Sequence, residues 1–292
     1  MQARSALFDV YGDHVTRAGG WAPVAGLVKA LSALGIAPPA TRTAVSRMAR
    51  EGWLEPVELG GQRGYSATAV ARRHLQEAHR RIYRSQRAQW DGTWDVVTIS
   101  HHGSRASRNR LVASLGYLGY AALAPGVWVA PRRSAELAER LGAEHAQWHA
   151  FTGTFDGVDH DLAARLWDLE SLADQYRAFT GRLAADRELL EAGVSAQEAF
   201  VMRSRTVHQW RKFLFLDPGL PAAVLPADWP GEEAAHRFAE TAAHLRRPAE
   251  VFLEECLAPH PHSSPPPRHP HAAPASRSGA PLNHHSQGVV PS

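Results

Sequence analysis

The sequence predicts an α+β protein, because three kinds of pattern follow one another along the chain. Apolar residues recur at helical spacing in the first 50 residues, β-branched strands alternate with helices across residues 90–157, and long helical repeats fill residues 158–257. The remaining stretch, 258–292, is rich in His and Pro and has almost no aliphatic pattern. We therefore expect domains at 1–89, 90–157 and 158–257, followed by a disordered tail at 258–292 to which we assign no function.

The first region has the pattern helix, turn, helix, hairpin. Helices are predicted at 4–14 and 24–34, and Pro38 and Pro39 mark the start of a third, since proline is tolerated in the first helical turn. Strands are predicted at 53–59 and 63–67 around a Gly-Gly turn, with Pro56 confining the first strand to an edge. A two-stranded ribbon after a helix-turn-helix is the wing of a winged helix. Thr68 would then cap a long basic helix reaching residue 89.

The third helix has two unlike faces at 3.6 residues per turn. One face is small and apolar, with Val45, Met48, Ala49 and Gly52. The opposite face carries hydroxyls and guanidiniums, at Thr43, Ser46, Arg47 and Arg50. Arg pairs bidentately with guanine or with phosphate, and Ser and Thr can reach either. We therefore predict that this face reads a DNA major groove, with Arg42 on its flank and with Gln62 and Arg63 at the wing tip contacting phosphate or the minor groove.

Charge is distributed as this prediction requires. Residues 1–90 carry a net charge of +7, whereas residues 151–256 carry −7, although the whole chain has only +3. Phosphate neutralisation needs positive charge on the nucleic-acid-binding segment. The single cysteine, Cys256, excludes a disulfide framework, and no apolar stretch approaches membrane-spanning length. We expect a cytoplasmic protein that does not bind a membrane.

The central region is predicted to alternate strand 94–99, helix 105–117, strand 123–131, helix 134–141 and strand 147–155, as in a small ferredoxin-like domain. The small ferredoxin-like nucleases of CRISPR systems place an acidic residue at the end of their first strand. Here that end is Ser100-His101-His102, and Asp95 lies at the beginning of the strand. This departure argues against metal-dependent hydrolysis, and we expect no metal site and no catalytic residues.

Positive side chains are concentrated in one helix of the acidic C-terminal region, at Arg203, Arg205, His208, Arg211 and Lys212. One interpretation is a counter-charge for the phosphates of an effector. The other is intramolecular pairing with the many nearby carboxylates, which we favour slightly.

The chain resembles the PaaX family, repressors of phenylacetate catabolism, over nearly all of residues 4–257. Four stretches carry the resemblance, at 42–54, 123–129, 198–212 and 217–231. The resemblance implies an N-terminal winged helix, a central dimerising ferredoxin-like domain and a helical C-terminal domain, which is the candidate effector domain. It also implies that the effector is an aryl-acyl thioester of coenzyme A, such as phenylacetyl-CoA.

Together these observations favour a homodimeric, non-enzymatic repressor that binds double-stranded operator DNA and needs no cofactor. Two alternatives stay open from the residues alone. One is a metal-dependent nuclease built on the central domain. The other is a scaffold or ligand-binding protein whose winged helix contacts proteins, against which the basic first region weighs.

Overall fold

The computed structural model describes residues 1–16, 19–82 and 90–258, and its mixture of long helices with two small antiparallel sheets confirms the α+β class. The predicted disordered tail, apart from Ala258, and the end of the predicted linker helix lie outside the described residues. Residues 1–259 form one compact unit.

The predicted order of helix, turn, helix and hairpin is present at the N-terminus. Helix α1 passes directly into one π-helical turn at Tyr11–Val15. A three-residue strand at Trp21–Pro23, which the sequence pattern does not predict, joins the hairpin strands Leu54–Leu59 and Gln62–Ala67 in one antiparallel sheet, with Gln62–Ala67 in the centre. The elements are α1 Ala3–Val10, β1 Trp21–Pro23, α2 Val24–Ala33, α3 Pro38–Arg50, β2 Leu54–Leu59, β3 Gln62–Ala67 and α4 Ala69–Ile82.

Local residue chemistry explains these boundaries. Gly60 and Gly61 have φ angles of +58° and +76°, which a two-residue hairpin turn of the primed type requires and which side chains disfavour. Pro56 lies in β2, an edge strand as predicted, where its missing N–H costs no ladder bond. Thr68 caps α4 by accepting a 3.2 Å hydrogen bond from the N–H of Ala71, as predicted.

The central region forms a four-stranded antiparallel sheet of order β5-β6-β4-β7, with the connectivity of a ferredoxin-like domain. The prediction of one strand over residues 123–131 was wrong, because Pro125 and Gly126 form the turn of a hairpin. Gly126 has a φ of +75°, which an extended strand cannot contain. The elements are β4 Trp94–Ser100, α5 Arg105–Tyr117, β5 Ala121–Ala124, β6 Val127–Ala130, α6 Leu137–Ala143 and β7 Gln147–Gly153.

The C-terminal region is helical. The Ser195 hydroxyl and the Glu198 carboxylate form a reciprocal capping box that begins α9. Gly193, with a φ of +91°, ends the helix before it. The elements are α7 Asp159–Leu166, α8 Leu169–Ala192, α9 Ala196–Leu216, a 3-10 turn at Ala222–Val224 and α10 Gly231–Leu257.

One hydrophobic core is built from both ends of the chain. Residues of α1, α2 and α3 share it with Phe200 of α9 and with Phe252, Leu253 and Cys256 of α10. At Gly26 of α2, an added Cβ would lie 2.5 Å from the carbonyl oxygen of Cys256, so α2 and α10 are in backbone contact. Domain boundaries at residues 89 and 157 stay a prediction. The predicted domains 1–89 and 158–257 share this core.

Candidate nucleic-acid interface

Helix α3 has the two faces that its sequence predicts. Val45 and Met48 are buried, and Ala49 is half-buried. Gly52 is exposed beyond the end of the helix, so its assignment to the apolar stripe was wrong; its φ of +75° ends the helix instead. Thr41 and Ala44 complete the buried face. The outward face is exposed throughout, at Arg42, Thr43, Ser46, Arg47 and Arg50.

The β2–β3 hairpin follows α3 in the chain and is held at its base by β1. Arg63 is exposed near the tip and Gln62 is half-buried, opposite Glu58 and Leu59 respectively. The indole N–H of Trp21 donates a 3.1 Å hydrogen bond to the carbonyl of Val57. A Cβ added at Gly64 would lie 2.5 Å from the carbonyl oxygen of Ala22, so only glycine allows β1 and β3 to approach this closely. The hairpin is therefore anchored to β1.

The arginines of the outward face differ in their partners. Arg47 donates from Nε to Oε1 of Glu51 at 2.9 Å, and Oε2 of the same carboxylate accepts from Nη2 of Arg4 at 2.7 Å. Arg42, Arg50 and Arg63 have no carboxylate partner within residues 1–16, 19–82 and 90–258. Glu51 and Arg4 were not among the residues predicted for this site. The i, i+4 spacing of Arg47 and Glu51 could have indicated the first, but Arg4 reaches α3 only through tertiary packing.

The basic side chains of α9 divide into two groups. Arg203 is fully buried and holds both oxygens of Asp13 at 2.7 Å, and Oδ2 of Asp9 contacts Nδ1 of His208 at 2.8 Å. Arg211 lies 3.2 Å from Oδ1 of Asp9. These three side chains therefore make the intramolecular pairs with carboxylates that the second interpretation of the sequence expects. Arg205 and Lys212 are exposed. The assignment of the five side chains to an effector stays a prediction.

Asp95, the residue on which the nuclease alternative depends, is buried and hydrogen-bonded to Arg133 and Tyr120. It is 1% exposed and accepts hydrogen bonds from Nε and Nη2 of Arg133, at 2.9 and 2.6 Å, and from the hydroxyl of Tyr120 at 2.5 Å. Burial and this hydrogen bond raise the pKa of Tyr120, and the carboxylate raises the pKa of Arg133. The arrangement is a neutralised buried carboxylate that joins β4 to the segment after β6.

The other side chains considered for the nuclease alternative, His101, His102 and Asp156, do not form a metal site with Asp95 in the described part of the chain. Nε2 of His101 lies 2.9 Å from the Ser107 hydroxyl, whereas His102 and Asp156 are exposed. In the described part of the chain, no three His, Cys, Asp or Glu side chains are grouped to hold a metal ion. Among the same residues, none of the helices is both long and apolar enough to span a membrane.

Comparison with known proteins follows the same three regions. Family models match residues 2–71 (PaaX-like protein), 87–164 (PaaX protein central Cas2-like domain) and 167–255 (PaaX-like protein C-terminal domain). The chain therefore belongs to the PaaX family. A curated relative is transcriptional repressor PaaX of Escherichia coli (strain K12), which is 27% identical over 269 residues, covering 86% of this chain and 83% of the relative.

A solved structure has the same fold. Uncharacterized protein Rv0674 from Mycobacterium tuberculosis aligns with a TM-score of 0.57 at 24% identity, over 86% of this chain and 98% of that one. At this identity the similarity shows the fold alone.

Proposed function

We propose that this protein is a sequence-specific DNA-binding transcriptional repressor, without enzymatic activity, that acts in the cytoplasm. We interpret the elements from α1 to β3 as a winged helix-turn-helix in which α3 is the recognition helix and the β2–β3 hairpin is the wing. The observation that carries the proposal is the outward face of α3, where Arg42, Arg47 and Arg50 stand with two hydroxyl side chains on a helix buried on its other side.

Three further observations support it. Arg63 at the tip of the anchored hairpin extends the positive surface beyond α3. The net charge of +7 in residues 1–90 matches a phosphate-binding role. The E. coli relative is named a transcriptional repressor.

The finer features of the proposal come from the family resemblance. We propose that the protein is a homodimer through its ferredoxin-like domain, and that it binds two operator half-sites separated by about 34 Å or a multiple of it. We further propose that it controls genes of phenylacetate-like catabolism and that an aryl-acyl-CoA such as phenylacetyl-CoA releases it from DNA. The thioester can do so only by binding more tightly to a conformation whose half-site spacing does not match the operator.

Fluorescence anisotropy tests the proposal. Purified protein would be titrated onto DNA from upstream of its own gene and onto random DNA of equal length, at fixed physiological salt, with and without phenylacetyl-CoA. We expect selective binding that the thioester reverses. Equal affinity for both DNAs would contradict the repressor and favour the scaffold alternative, whereas selective binding that ignores the thioester would contradict only the effector.

A variant then separates base reading from phosphate binding. Arg47→Ala should weaken binding to the selected DNA by about 1–3 kcal/mol with a much smaller loss on random DNA, because a base contact carries sequence information. Arg205→Ala, an exposed arginine of α9, is the matched control and should leave both affinities unchanged. An equal loss on both DNAs would make Arg47 a phosphate contact.

A further inference from the structure

Glu51, the residue that ends α3, forms an ion pair with Arg47 of the outward face. Within residues 1–16, 19–82 and 90–258, no other carboxylate pairs with an arginine of that face. The two oxygens of Glu51 are used by different arginines, Oε1 by Nε of Arg47 and Oε2 by Nη2 of Arg4 at the start of α1. The Arg47 side chain stays 64% exposed in this contact. Exposed ion pairs contribute little to folding stability, so stability does not explain an acidic group on a surface that is otherwise positive.

The geometry of the contact leaves the reading edge of Arg47 accessible. A guanidinium has five N–H donors, and Glu51 takes the one on Nε. The two terminal nitrogens form the fork that matches O6 and N7 of guanine. A long side chain that is already held in one orientation also loses less rotamer entropy when it binds.

The same carboxylate acts against generic phosphate binding. Random DNA is bound almost entirely through phosphate contacts, and an arginine with a local carboxylate counter-charge contributes less to them than an arginine without one. Glu51 gives Arg4 and Arg47 such a counter-charge, whereas Arg42 and Arg50 have no carboxylate partner in the described ranges 1–16, 19–82 and 90–258. The outward face therefore contains two kinds of arginine.

We propose that Glu51 is a specificity-determining residue, which orients Arg47 to read a guanine and withholds Arg47 and Arg4 from non-specific phosphate contacts. The inference rests on the proposed function, since it concerns the same DNA-binding face. It assigns phosphate binding to Arg42 and Arg50 and guanine reading to Arg47.

The test is Glu51→Gln, which removes the charge and keeps the side-chain size. Affinity for random DNA should rise about 3- to 10-fold at physiological salt, and the slope of log affinity against log salt should steepen by about 0.9 for each additional phosphate that the variant neutralises. Affinity for the selected upstream DNA should fall or stay constant, so the selectivity ratio drops. Replacing each guanine of that DNA with 7-deazaguanine should weaken wild-type binding at one position in each half-site and have no effect there on Arg47→Ala.

The chain offers a matched control. Arg187 and Glu191 form the same i, i+4 contact on α8, from Nε to Oε1 at 3.0 Å, far along the chain from α3. Glu191→Gln changes the total charge equally and should leave the selectivity ratio and the random-DNA salt slope unchanged. A wild-type protein without selectivity would contradict the proposed function itself. A selective wild type whose selectivity ratio and salt slope are the same in Glu51→Gln would overturn this inference alone.

Discussion

Arg203 in α9 donates hydrogen bonds of 2.7 Å to both carboxylate oxygens of Asp13, which lies 190 residues earlier in the π-helical turn after α1. The arginine is fully buried and the aspartate nearly so, and Arg203 also donates to the carbonyl of Ala242 in α10. A buried ion pair is tolerated only when both charges are compensated. The pair therefore fixes the N-terminal elements against α9 and α10 of the C-terminal region.

Removing one partner should be costly. We expect Arg203→Met to lower the free energy of unfolding by about 3–5 kcal/mol, because the buried Asp13 carboxylate then loses the guanidinium that contacts both of its oxygens. Denaturant unfolding followed by circular dichroism would measure the change. Arg205→Met, at an exposed arginine two residues along the same helix, should change stability by less than about 0.5 kcal/mol. Equal losses in the two variants would contradict the buried-pair argument.

The backbone contact between α2 and α10 predicts the effect of one methyl group. Gly26→Ala places a Cβ 2.5 Å from the Cys256 carbonyl oxygen, so the helices must separate, and we expect destabilisation of about 1–3 kcal/mol. Gly181→Ala in α8 is the control, since its Cβ would meet no atom within 4 Å. That substitution should stabilise the protein by about 0.5–1 kcal/mol, as expected for a helix interior. A thermal denaturation series on both variants checks the opposite signs.

The thiol of Cys256 should report the opening of the same contact. Burial raises its pKa to about 11, and only about 1% of the residue is exposed. Because the thiolate is the reactive form, labelling of the native protein by a thiol-specific disulfide reagent at neutral pH should be slow. We expect Gly26→Ala to accelerate labelling at least several-fold by loosening α10. Fast labelling of the wild-type protein would show that this end of α10 opens readily.

The Glu144 carboxylate, at the end of α6, is hydrogen-bonded to Ser107 and Arg110 of α5. This contact predicts that the stability of the protein depends on pH. Hydrogen bonds from Arg110 and from Ser107 lower the pKa of Glu144 to about 2. A carboxylate whose pKa is depressed by folding stabilises the protein above its ordinary pKa near 4.5, and this contribution is lost as the pH falls towards 2.

The measurement is a comparison of wild type and Glu144→Gln across that range. The difference in their free energies of unfolding should be constant above about pH 5 and should shrink between about pH 4.5 and pH 2. Glu139→Gln, at an exposed residue of α6, should show no such dependence. A difference that grew on acidification would have the wrong sign and would contradict the assignment.

The sequence predicted most of what depends on local periodicity. The two faces of α3 followed from 3.6-residue spacing, and the hairpin followed from its glycine pair and alternating residues. It failed at Pro125 and Gly126, where a turn of two residues lies inside a run of strand-forming residues and the hairpin was taken for one strand. It also missed β1, since three residues carry no period and the strand exists only because β3 lies beside it.

The charged residues of α9 show a different limit. Arg203, His208 and Arg211 looked like one basic cluster with Arg205 and Lys212, because sequence spacing does not reveal partners from another segment. Asp9 and Asp13 lie four residues apart and both are buried, Asp9 in α1 and Asp13 in the π-helical turn that follows it. Their basic partners Arg203 and His208 lie 190 and 199 residues later in the chain, so the pairing follows from tertiary packing.

The core shared by α2, α3, α9 and α10 has a consequence for how the protein is made. Ribosomes add about 5–20 residues per second, so Arg203 follows Asp13 out of the exit tunnel by roughly 10–40 s. During that interval the nascent N-terminal segment lacks Phe200, Phe252 and Leu253, which complete its interior. A prematurely terminated chain that lacks α9 and α10 would thus expose an unfinished apolar surface.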